Sequence, residues 1–210
     1  MKSMKKKIRR IVRRAKRIRS GGVVAVAVLL LFGAGFLIER NVVNANYTEL
    51  LSTIAEGESK GNYNAYFGHA GNTTIEFTNM TIEQVLQWQR EFVAGGQPSN
   101  AVGKYQFIRP TLEGLVNELG VGRDGLFDEA LQDRLAIHLL ERRGVREYVR
   151  GHITREQFAH NLSMEWAALP RVIGRNPGAS YYDGDGLNKA QVSIDVVLAA
   201  IDSLRGTTSV

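Results

Sequence analysis

The sequence predicts a mostly α-helical protein: a single helical domain with a small β-hairpin, preceded by one N-terminal transmembrane helix. Three observations carry this reading. Residues 21–38 form an unbroken apolar run without charge. From residue 47 onward, apolar side chains recur at three- and four-residue steps behind helix-start signals. Segments that alternate apolar and polar side chains are few.

The N-terminal elements come first. Residues 1–20 hold 11 of the 27 basic residues and no acid, so the remaining chain has 16 basic against 21 acidic residues. The net charge of +6 therefore belongs to a tail, and no nucleic-acid partner is expected of the mildly acidic remainder. The run GGVVAVAVLLLFGAGFLI at 21–38, as a helix rising ~1.5 Å per residue, is long enough to span a bilayer core. Eleven positive charges precede it, and only the self-cancelling Glu39 and Arg40 follow immediately, which places the N-terminus in the cytoplasm. A permanent signal anchor is the preferred reading. A cleaved signal peptide competes, because Val43-Asn44-Ala45 supplies small residues after the run. So does an anchor that later slips out of the bilayer, since glycines and alanines dilute the run's hydrophobicity. The expected division is a basic cytoplasmic tail at 1–20, the anchor at 21–38, a linker at 39–46, one domain at 47–206 and a tail at 207–210. The domain is expected on the periplasmic or extracytoplasmic side of a host inner membrane or a virion membrane.

Within the domain, a helix over 47–58 places Leu50, Leu51 and Ile54 on one stripe. Thr81 and Gln84 form a capping-box pattern ahead of Val85, Leu86 and Trp88. Pro110 marks a helix start, Leu112, Leu115, Val116 and Leu119 supply its face, and Gly120 ends it. A helix over 127–143 carries Leu131, Leu135 and Leu139 and stops at Gly144. Thr154 and Gln157 repeat the capping box, followed by Phe158, Leu162 and Trp166, with Pro170 as terminator. The last helix, over 188–205, shows Val192, Val196, Ala200 and Leu204. The strand candidates are 73–77 and 104–108, and the loops 59–72, 94–103 and 171–187 are where binding residues are expected.

Inventory removes several chemistries. The chain has no cysteine, which excludes disulfides, Cys-ligated metals and a thiol nucleophile. His69, His138, His152 and His160 lack metal-ligand spacing, and neither a GxSxG elbow nor a phosphate-binding glycine loop is present. Asp183-Gly184-Asp185-Gly186 places its glycine too early for a calcium loop and has no closing Glu. No cofactor and no metal are expected.

Carboxylates remain, and helical phase separates two of them. Glu58 lies four residues after Ile54, about 40° around the helix, and continues the buried stripe; Glu56, about 200° away, faces solvent. A carboxyl on an apolar face is costly as an anion, which raises its pKa and suits a general acid. The bland alternative is that Glu58 caps the helix or pairs with a neighbouring cation.

The run Ile54-Ala55-Glu56-Gly57-Glu58-Ser59 resembles the helix-end Glu-Ser motif of the lysozyme-like superfamily. Gly103-Lys104-Tyr105-Gln106 resembles the Gly-basic-Tyr-Gln element of phage muramidases. Trp166-Ala167-Ala168-Leu169-Pro170, with Tyr181 and Tyr182 downstream, is similar to an element of the lambda-phage-type endolysins, which are lytic transglycosylases. The resemblance implies a lysozyme-like α+β fold and cleavage of the β-1,4 bond between N-acetylmuramic acid and N-acetylglucosamine in peptidoglycan. It implies Glu58 as the catalytic acid, with Glu56 as the less favoured alternative two residues away. Tyr105 and Gln106 would line the cleft, and Tyr181 or Tyr182 would contact a sugar; Trp166 and Trp88 read better as core. No second carboxylate stands beside Glu58 in the sequence, Asp183 and Asp185 being the only loop acids near a family element. Both anhydro-forming cleavage and hydrolysis by a muramidase stay open. So does a wall-binding or assembly protein on an inactive scaffold, or an anchored protein whose basic tail grips anionic lipid or nucleic acid. The expected partners are glycan strands and, through 21–38, a bacterial membrane; the domain is expected to be a monomer.

Overall fold

The computed structural model describes residues 46–205. The expected tail, anchor and C-terminal residues at 1–20, 21–38 and 207–210, and nearly all of the linker, lie outside them. Among the described residues no helix is long and apolar enough to cross a membrane.

Seven helices are present among the described residues: α1 (Thr48–Ser59), α2 (Ile82–Ala94), α3 (Arg109–Glu118), α4 (Glu129–Arg142), α5 (Val145–Val149), α6 (Arg155–Ser163) and α7 (Ile194–Asp202). Short 3-10 turns occupy Phe77–Asn79 and Ser203–Arg205. The start signals act as their chemistry requires. The Thr81 and Thr154 hydroxyls accept from the amides of Gln84 and Gln157, whose side chains accept in return from the cap amides. Asp128 caps α4 through the Leu131 amide at 2.7 Å. Pro110, in the first turn of α3, gives up an amide that has no intrahelical acceptor.

One core joins these elements. α1 packs on α7, α7 on α6, α6 on α5 and α5 on α4, while α2 packs on α3. Leu50, Ile54, Leu86, Leu115, Leu135 and Phe158 are fully buried in a single cluster. α1 runs into this core with Leu51 and Ala55 on the same stripe, so its C-terminal end is held rigidly.

The structure departs from the sequence reading at several elements. The small hairpin is absent among the described residues; extended pairing is reduced to isolated bridges such as Tyr66↔Val102 and Val102↔Phe107. Around 73–77 the backbone is held by side chains instead of a ladder. The Asn72 amide donates to the carbonyls of Asn64 and Ile75, and its oxygen accepts from Thr74 and Ile75. Residues 104–108 close a tight turn rather than a strand, with Val102 and Phe107 exchanging both backbone hydrogen bonds and Gly103 and Gln106 at positive φ.

Helix α6 stops at Ser163, so Trp166 belongs to the following loop, though it is buried as expected. Helix α7 begins at Ile194, because the Gln191 and Val192 amides donate to Ala168 and are unavailable for a helix. Its buried face is Val197, Ala200 and Ile201, leaving Val196 exposed. Finally, the chain resumes as α5 directly after Gly144, whose left-handed φ of 100° turns it out of α4.

Candidate functional site

A cleft of about 410 Å³ opens where the end of α1, the 101–108 turn, the end of α4 and the 164–167 loop meet. Glu58, Gln106, Arg142, Glu165 and Tyr182 contribute to its wall, with the Tyr105 and Trp166 rings beneath. Three local devices place Glu58 there.

Ser59, fully buried, lies 2.7 Å from the Lys104 carbonyl and fastens the last turn of α1 to the 103–106 turn. Gly57 lets the 166–170 loop come in close: a Cβ there would stand 2.9 Å from both Ala168 Cβ and Val192 Cγ2. The Ala168 amide, brought near by that contact, donates to Glu58 Oε1 at 2.9 Å. Burial pushes the Glu58 carboxyl from 4.5 up to about 7; the Ala168 hydrogen bond pulls the other way and is the weaker effect. The carboxyl is thus poised to hold a proton near neutral pH and to release it to a group lying in the cleft.

Glu56 is elsewhere. Its side chain is 67% exposed and pairs with Lys60 at 3.1 Å, outside the cleft, as helical phase requires.

The remaining predicted site residues divide. Gln106 lines the cleft, with its Nε2 donating to the Gly103 carbonyl at 2.9 Å. Tyr105 is only 1% exposed; its ring underlies the cleft but its hydroxyl donates to Asp133 Oδ1 on α4 at 2.6 Å. Burial, reinforced by that carboxylate, pushes the phenol up, so it stays a donor. Lys104 turns the same way, 2.9 Å from the Tyr63 hydroxyl and 3.5 Å from Asp133. The Lys104-Tyr105 pair therefore anchors the turn to α4 and offers its polar groups to the protein. Buried Gln132 completes the anchor, accepting from the Lys104 amide and donating to the Tyr63 and Phe127 carbonyls.

Tyr182 reaches the cleft and donates to the Met164 carbonyl at 2.7 Å. Tyr181 stands against Tyr182 and His160 without lining the cleft. Asp183 and Asp185 do not line it either; Asp185 closes its own turn on the Leu187 and Asn188 amides.

Sequence reading missed three charged residues of the cleft. Glu165, at 11% side-chain exposure, is bound by Arg143 Nε at 2.7 Å, and Arg143 also donates to the Met164 carbonyl. Arg142, beside them, has no ion-pair partner among the described residues. Glu165 directly precedes the Trp166–Pro170 element, the one signal that could have found it. The two arginines stand at the C-terminal end of α4, more than 80 residues along the chain from Glu58. Among the described residues no cluster of potential ligands could hold a metal ion.

This arrangement, a protonatable carboxyl at the wall of a cleft in a helical domain, has the chemistry of a general-acid enzyme. The endolysin family model matches residues 48–189, which is more than half of the chain and includes every residue that lines the cleft. The chain belongs to the endolysin family, and so to the phage enzymes that degrade the peptidoglycan of the bacterial cell wall. No curated protein and no solved structure gave a match.

Proposed function

We propose that this chain cleaves the β-1,4 bond between N-acetylmuramic acid and N-acetylglucosamine as a lytic transglycosylase, with Glu58 acting first as acid and then as base. The observation that carries the reading is that, among the described residues, the cleft holds one carboxyl free to work. Glu58 is pushed up to about 7, whereas Glu165, the other acid lining the cleft, is committed to Arg143 at 2.7 Å. A protonated Glu58 gives its proton to the glycosidic oxygen as the bond to C1 breaks. The 6-hydroxyl of the same muramic acid then bonds to C1, and the Glu58 carboxylate takes that hydroxyl's proton. The acid is restored, no water enters, and the new end is a 1,6-anhydro ring. The Ala168 amide, fixed on Oε1, steadies the carboxylate between the two steps.

Glu165 favours one rival. Were the Arg143 pair to open, its carboxylate could serve as the second acid that hydrolytic glycosidases require. Incubating the full chain and its Glu58→Gln variant with purified peptidoglycan, followed by mass spectrometry of the fragments, separates the two. The expected products depend on Glu58 and are one water lighter than hydrolysed fragments. Glu58-dependent products with reducing ends would make the enzyme a muramidase and point to Glu165.

Delivery belongs to the same proposal. Residues 21–38 act as a signal anchor that leaves the basic tail in the cytoplasm and tethers the 47–206 domain against the wall. The support is the uncharged run and the one-sided charge before it.

A further inference from the structure

A second polar cavity, of about 580 Å³, lies among Arg171, Arg175, Asn176 and Asp183. It sits in the hairpin-like loop that leaves the Glu58-binding segment. Pro170 bridges Ser180, and Arg171 exchanges backbone hydrogen bonds with Gly178 and Ala179. The Ser180 hydroxyl donates to the Ala167 carbonyl at 2.8 Å, one residue from the amide that holds Glu58. The loop is thus built onto the catalytic wall.

Its charges are not spent within the protein. Among the described residues neither Arg171 nor Arg175 lies within 4.0 Å of a carboxylate oxygen, although the cavity itself contains one at Asp183. Arg171 Nε is buried and has no acceptor among the described residues, which leaves the donor open to a partner in the cavity. Among the described residues, the Asp183 carboxylate accepts only from the Asn176 amide, at 3.3 Å. Two guanidiniums and one carboxylate around a single open space complement a group that carries both a carboxylate and an ammonium. Guanidinium forks suit the carboxylate, and Asp183 suits the ammonium.

We propose that this cavity binds the free α-amino-carboxylate end of a diamino acid in the peptide stem of the glycan strand. This rests on the reading of peptidoglycan as substrate, and extends it from the sugar chain to the stem. A glycan lying along the Glu58 cleft presents its stems to the side, and a diaminopimelate residue carries such an end whenever it is not cross-linked. A stem with lysine offers the ammonium without the carboxylate. The site thereby selects the wall chemotype and registers the strand for cleavage.

The test uses the full chain, Arg175→Ala, Arg171→Gln and Arg171→Gln/Arg175→Ala on three polymers: strands with diaminopimelate stems, strands with lysine stems, and strands stripped of stems. Arg175 is exposed, so its single variant keeps the fold even if the Arg171 change does not. Remote, uniform binding predicts that KM rises with kcat unchanged, by about three- to tenfold per arginine at a partly exposed site, on diaminopimelate strands only. Wild type and variants converge on stripped strands. Equal losses on all three polymers, or no loss for Arg175→Ala on any, overturn the stem site while leaving cleavage intact. If wild type cleaves none of the three, the reading of the substrate falls first and the stem site with it.

Discussion

Glu58 gains its character from what surrounds it rather than from its own chemistry. Its carboxyl is carried into the protein by the apolar stripe of α1, and burial raises its pKa to about 7. The sign of the resulting pH dependence follows. The folded-state value lies above the unfolded one, so the folded protein holds a proton that the unfolded chain releases between about pH 4.5 and 7. Stability from this group is complete below that window and declines through it, by about 3 kcal/mol at most. Glu58→Gln removes the decline. The melting temperature of the variant is expected to exceed that of wild type by more at pH 8 than at pH 5, while its activity falls about 10²- to 10⁴-fold. Wild-type activity is expected to fade as pH rises through about 7, where the acid form is lost. Glu56→Gln is the control: its solvent-facing pair with Lys60 contributes little, and activity is expected to stay within about twofold. A pH–activity profile and paired melting curves read both variants.

At the scale of elements, the cleft is made by two contacts between α1 and the loops it meets. The first is the approach of the 166–170 loop to Gly57. Alanine in a helix usually stabilises by about 1 kcal/mol over glycine. Here its Cβ would press on Ala168 and Val192, and both contacts involve short side chains fixed to backbone. Gly57→Ala is therefore expected to lose about 1–3 kcal/mol through overpacking. It is also expected to reduce kcat, because the displaced atom belongs to the residue whose amide holds Glu58. Thermal melting together with turnover checks this. The second contact is the 103–106 turn, tied to α1 by Ser59 and to α4 by Tyr105 and Lys104. Tyr105→Phe deletes the Asp133 hydrogen bond and keeps the ring. It is expected to cost about 1 kcal/mol of stability and to leave kcat/KM within about threefold. A large loss of activity with unchanged stability would instead assign the hydroxyl to substrate.

For the whole molecule, the distribution of charge matters more than its sum. The basic residues of 1–20 precede an uncharged run, and the remainder of the chain is mildly acidic. A signal anchor predicts that the full chain stays with the membrane pellet after alkaline carbonate extraction and retains its N-terminal tail. Recovery in the supernatant with Met1 in place would remove both the anchor and the cleaved signal. Release only on depolarisation would favour the anchor that slips free.

Much of this was legible in the residues because it depends on local geometry. Capping boxes at Thr81 and Thr154 act within four residues, and the 3.6-residue period alone sends Glu58 inward and Glu56 outward. The strand reading of 104–108 failed for the complementary reason. An apolar–polar alternation cannot reveal that Lys104 and Tyr105 are claimed by Asp133, 28 residues away from Tyr105. The exposed Val196 and the late start of α7 likewise follow from amides diverted to Ala168. By itself, the sequence determined the helical class, the acid candidate and the one-sided charge of the N-terminus, since periodicity, caps and composition are properties of neighbouring residues. Only the tertiary structure decided that Glu165 shares the cleft but is bound by Arg143, that the Tyr105 hydroxyl faces the protein, and that Arg171 and Arg175 surround a cavity. Those facts are set by which distant groups come within hydrogen-bonding reach, and spacing along a chain does not encode that distance.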